Sequence, residues 1–396
     1  MNCLTLVTLV MCKTIPNVCL IKRGDTMEKA YRYRIYPNKQ QQELIQKTFG
    51  CVRFVYNYYL AKRKEMYEND KITFTYNMCS KDLTSLKKEY EWLKEPDKDS
   101  LQKSLKDLDS AYQKFFREHT GYPKFKSKKD RHKSYRTNCT KTSAGGNIMF
   151  MGKYIKLPKL GLVKIRDKQI PQGRILNATV SQEPDGRYYC SLCCTDVQLE
   201  QYPKTNKNVG IDLGICDFAI LSDGSKIENP QFYEKSEKKL AKLQRELSRK
   251  TIGSSNWNKA RIKVARLQSH ISNQRKDFLQ KLSTTIVKDF DVIAIEDLDV
   301  MSMKETDSKI RNKRVGDVSW SEFRRMITYK SQWYGKQLVI IDRYYPSSQI
   351  CHCCGHRDGK KSEDIRNWVC PNCHSELDRD INASINILNE GLRQII

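Results

Sequence analysis

Apolar positions along the chain change period several times, and each change marks an element. Tyr31 to Tyr36 alternates as a strand does, and Pro37-Asn38 then sets up a helix start. Beyond it Ile45, Phe49, Val52, Val55 and Tyr59 recur at three- and four-residue steps, which is one face of a helix. Leu101, Leu105, Leu108, Tyr112 and Phe115 repeat that spacing, and Leu83, Leu86 and Tyr90 suggest a third helix between them. Residues 39–120 are therefore expected to form a helical bundle with its basic faces outward. Gly121-Tyr122-Pro123 ends it, and Lys124 to Lys133 is a basic, aromatic-bearing loop. Short strands are expected at Ile148–Phe150, Tyr154–Leu157, Leu162–Arg166 and Ile175–Gln182. Pro184-Asp185-Gly186 then turns the chain into Arg187–Thr195. Such strands suggest a small barrel or sandwich to which the Tyr31 strand returns, with the bundle inserted after it.

Residues 203–207 are a polar linker, after which the pattern becomes βββαβαβα. Asn208–Leu213 reads as a buried strand, Cys216–Ser222 as a second, and Asp223-Gly224 as a turn into a third. Glu234–Lys288 is helical and basic, broken at Gly253-Ser254-Ser255. Asp291–Ile295 and Gln337–Ile341 are apolar strand cores flanking the amphipathic stretch Trp320–Tyr334. Three antiparallel strands followed by alternating helices and strands is the order of an RNase H-like α/β domain. The first 26 residues stand apart: Leu4 to Met11 is apolar, but it is too short to span a membrane and makes a poor signal peptide. They are expected to be untranslated sequence upstream of Met27 or a disordered extension.

Charge narrows the partners. Lys and Arg number 72 against 46 Asp and Glu, a net charge of +26 spread through the chain, which points to a polyanion such as nucleic acid. Fifteen cysteines in a chain of this length, with no secretory framework, fit a reducing cytoplasm better than a disulfide scaffold.

Two constellations carry chemistry. Asp212 lies in an otherwise apolar strand, Glu296 ends another, and Asp380 begins the last amphipathic helix; a buried carboxylate is costly unless it is paired or binds metal. Three such acids meeting at one sheet edge would hold two Mg²⁺ ions for phosphodiester hydrolysis. Taken singly, Glu296 also reads as a solvated strand end and Asp380 as a helix cap, and Asp378 is easily confused with Asp380. Cys351-x-x-Cys354 and Cys370-x-x-Cys373 match the spacing of a structural Zn²⁺ ribbon, a closed site without catalytic function. His352, His356 and His374 read as non-ligands, while Cys353 competes with Cys354. Cys190, Cys193 and Cys194 read as small core residues.

Tyr122-Pro-Lys-Phe-Lys-Ser-Lys, Gly210-Ile-Asp-Leu-Gly, Asn273-Gln-Arg-Lys-Asp-Phe, Ile295-Glu-Asp-Leu, Tyr345-Pro-Ser-Ser-Gln, the two CxxC pairs and Asp378-Arg-Asp-Ile-Asn-Ala occur in that order. Together they resemble the TnpB (OrfB) proteins of insertion sequences, relatives of type V CRISPR effector nucleases. The resemblance implies that Asp212, Glu296 and Asp380 are the acids of a RuvC nuclease domain and that Cys351, Cys354, Cys370 and Cys373 bind zinc. It also implies a guide RNA and a target DNA as partners, in a bacterial, nucleoid-associated cytoplasmic protein working as a monomer with its RNA and without a membrane. The expected organisation is a β-barrel-like wedge domain (27–38 and 121–202) with an inserted helix-turn-helix-like recognition domain (39–120). A RuvC-like nuclease domain follows (203–396), carrying an inserted zinc ribbon (347–377). Lys124, Lys126, Arg275 and Lys276 are the expected nucleic-acid contacts, and the basic hairpin bearing Arg245, Arg249, Arg261 and Arg266 offers a phosphate surface. Two other functions use the same residues: a recombinase that joins DNA strands, and a zinc-ribbon DNA-binding regulator with inert acids.

Overall fold

A computed structural model describes residues 27–130, 132–142, 145–300, 303, 309–362 and 365–395. The expectation for residues 1–26 lies outside them. The chain divides into two compact units, one up to Gln198 and one from Leu199.

In the first unit β1 (Lys29–Tyr36) leads into three helices: α1 (Lys39–Asp70), α2 (Tyr76–Glu89) and α3 (Lys98–Glu118). Asn38 starts α1 with a reciprocal capping box, its side chain accepting from Gln41 N while the Gln41 side chain accepts from Asn38 N. The face expected from periodicity is the buried one: Ile45, Phe49, Val52, Val55 and Tyr59 on α1, Leu83 and Leu86 on α2, and Leu101, Leu105 and Leu108 on α3. The Ser104 hydroxyl, donating to the Val52 carbonyl at 2.6 Å, pins α3 to α1.

The chain then forms β2 (Lys133–Asn138), β3 (Lys141–Thr142), β4 (Gly145–Gly146), β5 (Met149–Met151), β6 (Tyr154–Leu157), β7 (Gly161–Ile165), β8 (Arg174–Gln182) and β9 (Tyr188–Thr195). Six of these strands join β1 in one antiparallel sheet, in the order β2-β8-β9-β1-β7-β6-β5. β1 thus returns to the later strands as expected, pairing β9 from Lys29 opposite Cys194 to Ile35 opposite Tyr188. Among the described residues no ladder joins β2 to β5, so the paired strands form a single open sheet. β2 escapes sequence reading because Lys-Ser-Tyr-Arg-Thr-Asn is polar; its inward residues are Tyr135 and Thr137, and the Thr137 hydroxyl donates to Asp97 Oδ2 at 2.6 Å.

The second unit is built on β10 (Asn208–Asp212), β11 (Asp217–Leu221) and β12 (Lys226–Glu228), followed by α4 (Phe232–Ser248) and α5 (Ser255–Asp289). Next come β13 (Val292–Glu296), α6 (Lys309–Val318), α7 (Trp320–Tyr334) and β14 (Gln337–Ile341). The hairpin β15 (Asn367–Val369) and β16 (Glu376–Asp378) leads into α8 (Arg379–Arg393). The sheet order is β12-β11-β10-β13-β14, antiparallel through the first three strands and parallel from β10 through β13 to β14. On one side Phe218 of β11 meets Phe278 of α5 and Phe323 of α7 edge-on, at 5.2 Å between centroids in each pair. α8 lies so close against the sheet that a Cβ on Gly210 would stand 2.0 Å from the Ser384 carbonyl oxygen, and one on Gly391 2.5 Å from the Ala294 side chain. Those two glycines set how α8 lies across β10 and β13. Among the described residues no helix is long and apolar enough to cross a membrane.

Candidate active site and cysteine centre

β10 and β13 run parallel with Ile211 opposite Ile295, so Asp212 and Glu296, each the last residue of its strand, stand side by side at the carboxyl edge. α8 begins at this edge and places Asp380 in its first turn. The electrostatics match that placement. The Asp212 carboxyl is pushed up to about 8, first by desolvation and then by the negative charges of Glu296 and Asp380. Burial raises Glu296 as well, against the Ser347 hydroxyl, which donates to Oε1 at 2.5 Å and favours the charged form. Asp380 Oδ2 accepts from Arg366 Nη1 at 2.8 Å, and Arg366 Nη2 lies 3.8 Å from the Cys216 thiol. Crowded carboxylates of this kind fit a hard dication, which would offset their mutual repulsion and favour the charged forms of Asp212 and Glu296.

Neighbouring acids are engaged otherwise. Asp378 caps α8, its Oδ1 accepting from the backbone N–H of Asp380 and of Ile381 at 3.0 Å while Oδ2 holds Lys226 Nζ at 2.6 Å. Asp297 is paired with Arg324 and Arg343, and Asp299 with Arg343 at 3.0 Å. Ser347 and Arg366 are site residues that sequence reasoning did not single out. The only signal for Ser347 was its place in Tyr345-Pro-Ser-Ser-Gln, and Arg366 had none.

The cysteine centre sits beside the acids. Cys351, Cys354, Cys370 and Cys373 have sulfurs all within 4.8 Å of one another, with Cys351–Cys373 at 3.6 Å and Cys354–Cys370 at 3.7 Å. Four thiolates at Zn–S distances of ~2.3 Å around a tetrahedral ion stand ~3.8 Å apart, so the set fits zinc. Gly355 (φ +75°) and His374 (φ +58°) take the left-handed turns that close the two knuckles, their N–H groups donating to the Cys351 and Cys370 carbonyls at 2.9 Å. The Cys353 sulfur stands outside the cluster, 3.4 Å from His352 Nε2.

Buried asparagines of α8 tie this centre to the acids. Asn382 accepts from His352 N at 2.9 Å and donates to the Ile350 carbonyl at 2.7 Å; Asn386 donates to the Ser347 and Ile350 carbonyls at 2.8 and 2.6 Å. The hairpin closes on the same helix, Arg379 N donating to the Arg366 carbonyl at 2.7 Å.

The four expected nucleic-acid contacts fare differently. Lys124 and Lys126 are exposed, although the Lys126 ammonium lies over the Tyr56 ring at 4.1 Å from its centroid. Arg275 is committed to an ion pair with Asp317 that packs α5 against α6, and Lys276 is half-buried on α5.

Known proteins resemble the chain throughout. Residues 182–307 match the family model described as probable transposase, residues 320–387 that of the Cas12f1-like TNB domain, and residues 27–71 a helix-turn-helix domain. Two bacterial relatives carry the name "Putative RNA-guided DNA endonuclease". The one from Streptomyces pristinaespiralis is 38% identical over 92% of this chain and 90% of its own length. The other, InsQ of Escherichia coli K12, is 34% identical over 92% of each. In fold the chain is similar to the protein of a Cas12f1–sgRNA–target DNA complex, with a TM-score of 0.52 and 12% identity over 92% of this chain and 99% of that one.

Proposed function

Since the chain belongs to the TnpB (OrfB) family of insertion-sequence proteins, we propose that it is a transposon-encoded, RNA-guided DNA endonuclease. The observation that carries the reading is the convergence of Asp212, Glu296 and Asp380 at one sheet edge, with Asp212 pushed up to about 8 by burial and its two neighbours. On this reading residues 203–396 are an RNase H-like (RuvC) nuclease domain with the zinc ribbon of residues 347–377 inserted in it. Residues 27–38 and 121–202 are a wedge, and residues 39–120 a recognition domain. The protein holds the RNA–DNA heteroduplex by backbone and shape while base pairing supplies sequence.

Asp212, Glu296 and Asp380 would hold two Mg²⁺ ions. When bound, the ions supply the Lewis acidity that phosphodiester hydrolysis needs. The chain's own groups set the stage for this. Ser347 orients the Glu296 carboxylate through its hydroxyl. Asp378 fixes the first turn of α8, and so Asp380, by accepting two of that turn's free N–H groups. Arg366 supplies the positive charge beside Asp380. The closed cysteine set would hold Zn²⁺, and with it Arg366 and α8 in register, leaving no open position for catalysis.

Two measurements test the reading. Sequencing of nucleic acid copurified with the protein should return a discrete RNA from the flanking transposon end, and its absence would sink guidance by RNA. Asp212→Ala and Asp380→Ala should each lower Mg²⁺-dependent cleavage of a matched DNA on the order of 10⁴-fold, as when one member of a catalytic unit is removed. Undiminished cleavage in either variant rejects the acids as assigned. Joining of labelled transposon ends without RNA would instead favour a recombinase.

A further inference from the structure

The end of α3 and the strap after it carry an aromatic surface that neither the core nor the carboxylate site uses. Tyr112 and Phe116 stack at 6.3 Å and 18° on successive turns, Phe115 meets Phe116 at 5.0 Å, and Tyr122 stands edge-on to both Tyr112 and Phe115. Its outermost ring, Phe116, is 69% exposed, and Phe125 on the strap is 60% exposed. The strap has no regular secondary structure, yet it is held at fixed points. The Asn57 side chain accepts from Lys126 N at 2.8 Å and donates to the Lys126 carbonyl at 2.9 Å, and the Tyr112 and Tyr122 hydroxyls bond at 2.9 Å. Near the rings in sequence Arg117, Lys124, Lys128 and Lys129 are exposed and outnumber the exposed Glu118, while Asp130 accepts from Ser127 N.

Exposed phenylalanine side chains set among cations suit a partner that is at once flat, apolar and anionic. Unpaired nucleotides have that chemistry, since every base offers a π-face and every linkage a phosphate. A protein surface would match the rings but not the surrounding charge, and a closed duplex would match the charge but keep its bases stacked. Tyr112, Phe115, Phe116 and Tyr122 are held by one another and the backbone beside Phe125 by the Asn57 clamp, so stacking costs less further entropy than on a free loop. Large aromatic groups left bare in the resting protein are an association hazard. That favours the nucleic acid carried continuously over the one met transiently.

We propose that Tyr112, Phe116, Tyr122 and Phe125, with the lysines of the strap, form a stacking platform for an unpaired segment of the RNA the protein carries; this rests on the RNA-guided reading above. The test uses the full-length protein with its copurified RNA. Ultraviolet crosslinking and mass spectrometry, without DNA, should place nucleotide adducts on the peptide spanning residues 112–125. The surface variant Phe116→Ser with Phe125→Ser should bind that RNA about tenfold more weakly. Its affinity should keep the wild-type salt dependence, because no phosphate contact is lost, whereas Lys128→Ala with Lys129→Ala should flatten that dependence. Adducts that appear only when target DNA is added, or wild-type affinity in the phenylalanine variant, overturn the proposal while leaving the RNA-guided reading intact. A protein that carries no discrete RNA overturns both.

Discussion

At Asp212 folding and the proposed chemistry pull in opposite directions. A carboxyl pushed up to about 8 by desolvation, Glu296 and Asp380 has a folded-state pKa above its unfolded value. Ionising it therefore costs stability progressively as pH rises from about 4 through about 8. Asp212→Asn removes that cost. In chelator, thermal unfolding of this variant is expected above the wild-type temperature, by a margin that grows from about pH 5 to about pH 8. A margin independent of pH would show that the Asp212 charge is not what burdens the fold. Mg²⁺ should raise the wild-type melting temperature and leave that of Asp212→Asn unchanged, because the cation stabilises only a site that can hold it. Ser347 and the capping Asp378 contribute through other groups: one orients Glu296, and the other holds the turn that carries Asp380.

Among the elements, α8 determines whether the site assembles. Its seat is a glycine: a Cβ on Gly210 would reach to 2.0 Å from the Ser384 carbonyl, which a helix backbone cannot yield without moving. Gly210→Ala is expected to destabilise the second unit by about 2 kcal/mol or more, read by denaturant unfolding. Cleavage should fall with it because Asp380 moves. Unchanged stability would mean that α8 is free to shift.

The cysteine hairpin acts on the same helix. β16 ends at Asp378, α8 starts at Arg379, and the asparagines of α8 bond the carbonyls of Ile350 and Ser347. Elemental analysis should find one zinc per chain, lost in Cys370→Ser. Hydrogen exchange at the first turn of α8 should quicken in that variant, since the ion would hold the knuckle to which the helix is tied. Unaltered exchange would separate the ribbon from the acids.

For the whole molecule the governing quantity is charge. A net +26 distributed over both units predicts nucleic-acid binding that weakens steeply with salt, log affinity against log salt falling with a slope near −0.9 for each phosphate neutralised on duplex DNA. Titration of binding to unrelated duplex across salt concentrations measures it, and a shallow slope would confine the interaction to a few contacts. Arg275, spent on Asp317, should contribute little to that slope, whereas the exposed Lys124 should contribute about one phosphate.

Much was legible without coordinates. The periodicity of Ile45 to Tyr59 and of Leu101 to Leu108 determines the buried faces of α1 and α3, because a helix facing a core must repeat every three to four residues. The CxxC spacing likewise determines the cysteine centre, since two tight knuckles are local structures. The apolar setting of Asp212 marks it as a candidate acid before any partner is known. Other features belong to tertiary structure alone. A polar strand such as β2 shows its buried face only when β8 pairs with it. The choice between Asp378 and Asp380 depends on which carboxylate turns back to cap the helix and which is left toward the acids. The pairing of Arg366 with Asp380 depends on how the hairpin closes onto α8, and that of Arg275 with Asp317 on how α6 packs. Sequence pattern reports periodicity and local spacing, whereas these are contacts between distant segments, settled when the packed backbone brings particular side-chain atoms within bonding distance.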